Sequence, residues 1–134
     1  LRPLYKWLWN CDIVKLSEFA YRKGAFRGIP SQASMNQVYW RKRMAIPQEP
    51  DPDRDRCGVY WICPELPFVP KAVRDVQTIM EEETAVAGLE PFLSFVTTAE
   101  RSIKTVGALL YDRDVPGEDE KAKECYKRIT GRFL

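Results

Sequence analysis

Cysteine is the most reactive side chain this sequence offers, and its four copies are Cys11, Cys57, Cys63 and Cys125. A thiolate can attack a carbonyl, hold zinc or close a disulfide. Each use needs company that the sequence withholds. No two cysteines lie at the C-x2-4-C spacing that lets two thiolates reach one ion, and the chain contains no histidine. That absence removes a usual zinc ligand, the usual general base and every Ser-His or Cys-His nucleophile. The spacings match no secreted disulfide scaffold and the neighbours are apolar, so buried free thiols are expected.

Three further clusters invite chemistry. Glu81 to Glu83 offer carboxylates, but adjacent helical residues point in different directions, so an outer helix face is the expected reading. Tyr126 and Arg128 could clamp an oxyanion, yet a separation of two turns them apart on a helix. The run from Tyr39 to Arg43, YWRKR, sets aromatics beside three cations. An RNA-recognition module also needs exposed aromatics in a K/R-G-F/Y-G/A-F-V-x-F/Y strand, which is missing, so a solvated helix end is expected and nucleic acid is not. No catalytic residue and no metal ligand set is assigned. Any chemistry is expected to come from a cofactor or from residues outside this segment.

With 134 residues, 45% hydrophobic and 12% aromatic, one ordinary core can be buried. A net charge of +2, from 21 basic and 19 acidic residues, gives no electrostatic case for a polyanion or an anionic membrane. No apolar run reaches bilayer length. A soluble, cytoplasmic protein is expected. A start at Leu1 and a stop at Leu134 inside a helical pattern read as a fragment of something larger.

The elements that must position these residues follow from periodicity. Asp12 is placed to cap a helix closing near Gly24, and Ser31 a second one with Met35, Val38 and Tyr39 on one face and Arg41, Lys42 and Arg43 in its last turn. Three prolines and alternating Asp and Arg make 46–56 an extended loop. The charge-free run Cys57 to Cys63 then reads as a strand buried on both faces, with Gly58 permitting close approach and Pro64 and Pro67 stopping the ladder.

Pro70 opens a helix with Val73, Val76, Met80 and Ala87 in one stripe and Gly88 at its close. Phe92 to Thr98 and Ile103 to Tyr111 read as an antiparallel hairpin joined by AERS. A last helix from Val115 to Phe133 puts Ala122, Cys125, Tyr126, Ile129 and Phe133 on one face. The expected fold is α+β in the order α-α-β-α-β-β-α, an antiparallel sheet backed by helices with its other face available to a partner or ligand.

GIPSQASMNQVYWRKR, CGVYWICPELP, AGLEPFLSFVTTAERS and LLYDRDVPGEDEKAKECYKRI, in this order and spacing, resemble consecutive blocks of the cap domain of the FAD-linked phenol oxidases. That family is typified by vanillyl-alcohol oxidase and p-cresol methylhydroxylase, also called 4-cresol dehydrogenase. The resemblance covers Gly28 to Ile129. It implies that residues 1–134 are one domain, a piece of the cap over the isoalloxazine ring and the substrate, with the FAD-binding domain absent. Family members pass a hydride from the benzylic carbon of a para-substituted phenol to flavin N5.

The same resemblance places Val59 and Trp61 beside the flavin and Phe95 and Val106 near the substrate ring. It puts the phenolate-binding Tyr-Arg pair beyond Leu134, and the base in the absent domain, so this segment alone is expected to be inactive. Where relatives tether the flavin through histidine or tyrosine it aligns Val59, so the FAD is expected to be non-covalent, with Tyr60 as the one-residue alternative. Expected partners are the chain's own FAD-binding domain, a small phenol and a homodimer mate, with a cytochrome left open. The alternative is a stand-alone α+β interaction or small-ligand module.

Overall fold

The computed structural model describes residues 12, 14–15 and 32–133. The chain divides into two compact units, Leu1–Ser34 and Met35–Leu134. In the first, Val14 and Lys15 are helical, and the backbone N–H of Val14 donates to Asp12 Oδ1 at 3.1 Å, as to a helix N-cap. The rest of that expected helix, up to Gly24, lies outside the described residues, as do Ser31 and Cys11.

The second unit is organised around one strand, β4 (Ser102–Asp112). Its sequence SIKTVGALLYD is β-branched and small at the positions that must admit neighbours on both faces, and 105 and 107–111 are buried. On one side it pairs antiparallel with β3 (Pro91–Ala99) through the two-residue turn Glu100–Arg101. On its other side it pairs with β1 (Cys57–Ile62) and, farther along, with the short β2 (Glu65–Pro67). Pro64 was expected to stop this ladder and only interrupts it. Its carbonyl still accepts the N–H of Thr105 at 3.0 Å, and pairing resumes at Glu65 because proline costs nothing in an edge strand when its nitrogen faces outward.

Helices α1 (Pro70–Ala87) and α2 (Glu118–Phe133) cover one face of the sheet. Pro70 opens α1 and Gly88 closes it at φ 66°, the left-handed cap conformation that glycine adopts without a Cβ penalty. Between helices and sheet lies a core of Ile62, Val76, Met80, Leu89, Leu109, Tyr111, Ala122, Cys125 and Ile129. The two expected helical stripes therefore face inward, with Val73 and Ala87 half-buried at the margins. Thr84 also enters this core, with Oγ1 donating to the Met80 carbonyl at 2.7 Å.

The second expected helix is instead a 3-10 helix, Gln32–Tyr39. Val38 and Tyr39 seat it on the opposite face of the sheet, against Cys57, Val59, Phe92, Ala108 and Leu110. Among the described residues the sheet is thus covered by two helices on one face and by one short turn on part of the other.

Two expectations for β1 need correction. It is not buried on both faces, since Trp61 is 43% exposed and Val59 and Tyr60 are half-buried. It is an edge strand, and among the described residues its far end lies beyond the reach of the 3-10 helix with no other layer above it. Gly58 does permit a close approach, but of a side chain: the ring of Tyr111 from the neighbouring strand lies over it. The thiols of Cys57 and Cys125 are free and buried as expected, whereas Cys63 is exposed because the ladder breaks there.

Candidate functional site

Side chains alternate across a strand, so each face of the sheet can be read from the register. Gly58, Tyr60 and Ile62 face the helices. Tyr60 stacks on Tyr111 with ring centroids 5.5 Å apart and meets Tyr126 at 5.2 Å. Burial first, and a hydrogen bond to Asp119 second, hold the Tyr111 proton well above the ordinary phenol range. Arg128 leaves Tyr126 behind, its Nε donating to Glu83 Oε2 at 2.7 Å, so these two residues do diverge on α2.

Cys57, Val59 and Trp61 face the other way. In register with them run Leu110 opposite Val59 and Ala108 opposite Trp61, then Phe92 opposite Ala108 and Ser94 opposite Val106. The half of this face near Val59 lies under Val38 and Tyr39. Beyond that cover, Trp61, half-buried Val106 and Val96, which is 48% exposed, present an apolar surface with no helix on it among the described residues. Ser94 and Lys104 are its exposed polar members. Val59 and Trp61 thus share a face, as expected.

Phe95 and Val106, both expected near the substrate ring, do not, and lie on opposite faces of the sheet. Counting back from the turn, Ala99 pairs with Ser102, and an uninterrupted ladder would bring Phe95 opposite Val106. An irregularity between Thr97 and Ala99 adds one residue to β3, so Phe95 pairs with Thr105 and Ser94 with Val106. Phe95 packs into the helix-side core while Val106 stays on the open face. Thr105 beside it is fully buried, and its Oγ1 has no hydrogen-bond partner among the described residues.

At the margin of the covered half, Trp40, Arg41, Glu90, Pro91, Phe92 and Leu110 line a pocket of about 210 Å³. The YWRKR run does not form a solvated helix end. Arg41 donates from Nε and Nη2 to Glu118 Oε1 at 3.1 and 2.7 Å and from Nη2 to the Gly88 carbonyl at 3.1 Å. Lys42 is paired with Asp112 at 2.7 Å and with Asp114. These cations fasten the 3-10 turn to the segment between β4 and α2, and Trp40 Nε1 donates to Glu90 Oε2 at 3.0 Å.

Glu118 is buried, which opposes ionisation, but the Arg41 guanidinium and the Asp112 N–H at 2.5 Å outweigh that and hold its carboxyl below the usual range. Nothing in the sequence marked Glu118 as buried, since its cation stands 77 residues away. Across the same turn Tyr39 donates to Asp55 Oδ2 at 2.6 Å. Burial and that bond push the Tyr39 phenol up to about 12. Arg54 and then Tyr39 pull Asp55 down to about 2.

No family profile matches the chain, and no solved structure matches it. Among curated proteins it is similar to 1'-carboxy-chondrochloren decarboxylase of Chondromyces crocatus, with 40% identity over 114 residues. The match takes in 85% of this chain and 21% of that protein, so the chain spans about a fifth of the relative's length. That relative is an enzyme by its name.

Proposed function

We propose that the chain is part of an FAD-dependent oxidoreductase acting on para-substituted phenols, with the sheet face opposite α1 and α2 lying over the flavin ring. The observation that carries this reading is the open apolar surface around Trp61. A planar ring system needs a flat platform that no helix obstructs, and Trp61 offers an exposed indole there, with Val106 beside it and Val59 toward the covered half. FAD, when bound, supplies the hydride acceptor for the benzylic carbon of the phenol.

The chain's own residues orient and dry the site. The strand's tyrosine, Tyr60, is stacked on the helix side against Tyr111 and Tyr126, which leaves valine and tryptophan toward the ring and supports non-covalent FAD. Of the two residues assigned to the substrate ring, Val106 keeps that role and Phe95 acts from the far side, fixing the strand that carries Ser94 and Val96. Loss of a carboxyl group, the reaction in the relative's name, suits the same substrate class. A carboxylate on the carbon next to the benzylic one can depart as CO2 while its bonding electrons move into the oxidised side chain.

The test is made on the protein as its gene encodes it. Purified protein is expected to be yellow, to release its flavin on acid precipitation, and to bleach anaerobically with a para-alkylphenol. Trp61→Ala is expected to weaken flavin retention while leaving the urea midpoint of the sheet nearly unchanged. A colourless protein that neither binds FAD nor is bleached by phenols sinks the proposal, and flavin remaining on the precipitate at Tyr60 sinks the non-covalent assignment.

A further inference from the structure

Phenylalanine would fill the helix-side core as well as tyrosine does, yet three phenols meet there. Tyr60 of β1 is the middle member, its ring centroid 5.5 Å from that of Tyr111 on β4 and 5.2 Å from that of Tyr126 on α2. The backbone makes room for this contact. Gly58, two residues before Tyr60 and directly opposite Tyr111, has no side chain, and the Tyr111 ring lies across that space to reach its neighbour. Tyr111 is 7% exposed, and its hydroxyl faces the Asp119 carboxylate at the opening of α2. Tyr60 and Tyr126 are half-buried, and Asp119 is exposed.

We propose that these tyrosines form a relay for one-electron oxidation, which draws an electron hole from the Trp61 indole through Tyr60 onto Tyr111. Rings in contact exchange electrons faster than rings parted by saturated chain, and Trp61 is the next residue to Tyr60, its indole on the other face of the same strand. Loss of an electron makes a phenol strongly acidic, so a buried tyrosine yields one readily only where a base can take the proton. Asp119 is placed to be that base.

A one-electron oxidant is reduced at Trp61, the indole is refilled from Tyr60, and Tyr60 is refilled from Tyr111. The Tyr111 O–H proton passes to the Asp119 carboxylate, which leaves a neutral phenoxyl radical beside a carboxylic acid open to water. A reductant of the thiol or ascorbate class then returns one electron, entering through half-buried Tyr126 and Tyr60, and the proton goes back to the phenol oxygen. The relay thus moves an oxidising equivalent from the sheet face that carries Trp61 to the helix side. It needs no flavin, so the inference is independent of the proposed activity.

Pulse radiolysis of the chain tests it, with azide radical as the oxidant and Trp7, Trp9 and Trp40 replaced by phenylalanine so that Trp61 is the one indole. The indolyl radical band is expected to decay while the phenoxyl band grows, at a rate independent of protein concentration. Tyr60→Phe keeps the ring packing and is expected to abolish that phase. Asp119→Asn is expected to slow it, whereas Glu120→Gln, at the exposed next position, is not. In a Tyr111→Phe background Asp119→Asn is expected to have no further effect, since the proton it would accept is gone. Circular dichroism and the urea midpoint check that each variant remains folded. An indolyl radical that decays only by encounters between molecules overturns the inference. So does a concentration-independent phase that survives Tyr60→Phe, or one that runs equally fast with Asp119→Asn.

Discussion

Replacing Gly58 with alanine adds a single carbon, and the place it enters is occupied. A Cβ at residue 58 would come within 3.0 Å of three atoms of the Tyr111 ring. That ring has little room to move, being 7% exposed, stacked on Tyr60 at 5.5 Å and bonded to Asp119. Overpacking a core costs about 1–3 kcal/mol, and loss of the ring stacking adds about 0.5–1.5 kcal/mol. Alanine returns about 0.5–1 kcal/mol because glycine is unfavourable inside a strand. Gly58→Ala is thus expected to destabilise the fold by about 2–3 kcal/mol, read from urea unfolding at neutral pH. The same substitution in a Tyr111→Leu background has no ring to meet and is expected to be neutral or slightly stabilising. A cost below about 0.5 kcal/mol in the native background, or an equal cost in both, would refute the packing argument.

Three further outcomes are expected. Met80 is fully buried between α1 and the sheet, so Met80→Ala should cost about 2–5 kcal/mol by chemical denaturation, while Val86→Ala, at a site 77% exposed, should be near neutral. Arg41→Ala strands the buried Glu118 carboxylate and should cost about 2 kcal/mol, less than for a fully buried pair because the arginine is partly solvated; adding Glu118→Gln should recover part of that loss, and no recovery would show that the arginine acts through packing alone. Asp55 titrates lower in the folded than in the unfolded chain, so its contribution is present above about pH 4 and is lost as pH falls toward about 2. Asp55→Asn should flatten the stability profile in that window, measured by urea midpoints at successive pH values.

Much of the fold was legible because its signals are local. Pro70 and Gly88 bracket α1 by their own backbone preferences, and the apolar spacing in α2 reports which of its sides meets the sheet. Alternation likewise put Val59 and Trp61 on one face. What was not legible depends on partners distant in sequence. The irregularity after Thr97 leaves no mark in the run VTTAERS, yet it decides that Phe95 and Val106 part company. Glu118 lies in an acidic first turn that reads as solvent-facing, and only its pairing with Arg41 explains its burial. The cations of YWRKR fit a helix-end pattern but serve long-range pairs instead. Cys63 belongs to an apolar word, but a proline next to it opens the ladder.

The fastening of the 3-10 turn has a consequence for how the molecule comes apart. The helix side of the sheet is held by a broad apolar core, which salt leaves intact, whereas the opposite cover combines a small apolar contact with Arg41, Lys42, Arg56 and their carboxylates. Screening weakens the exposed members of that set far more than the core. Amide exchange should therefore find residues 35–56 opening before β4, with ionic strength favouring that opening modestly and chiefly through the exposed Arg56–Asp114 pair rather than the part-buried pairs of Arg41 and Lys42. Such an opening uncovers Val59, Ala108 and Leu110, and lengthens the bare apolar strip that begins at Trp61. The cover is then a shutter whose latch is ionic, and the width of the surface beneath it is set by the medium as well as by the sequence.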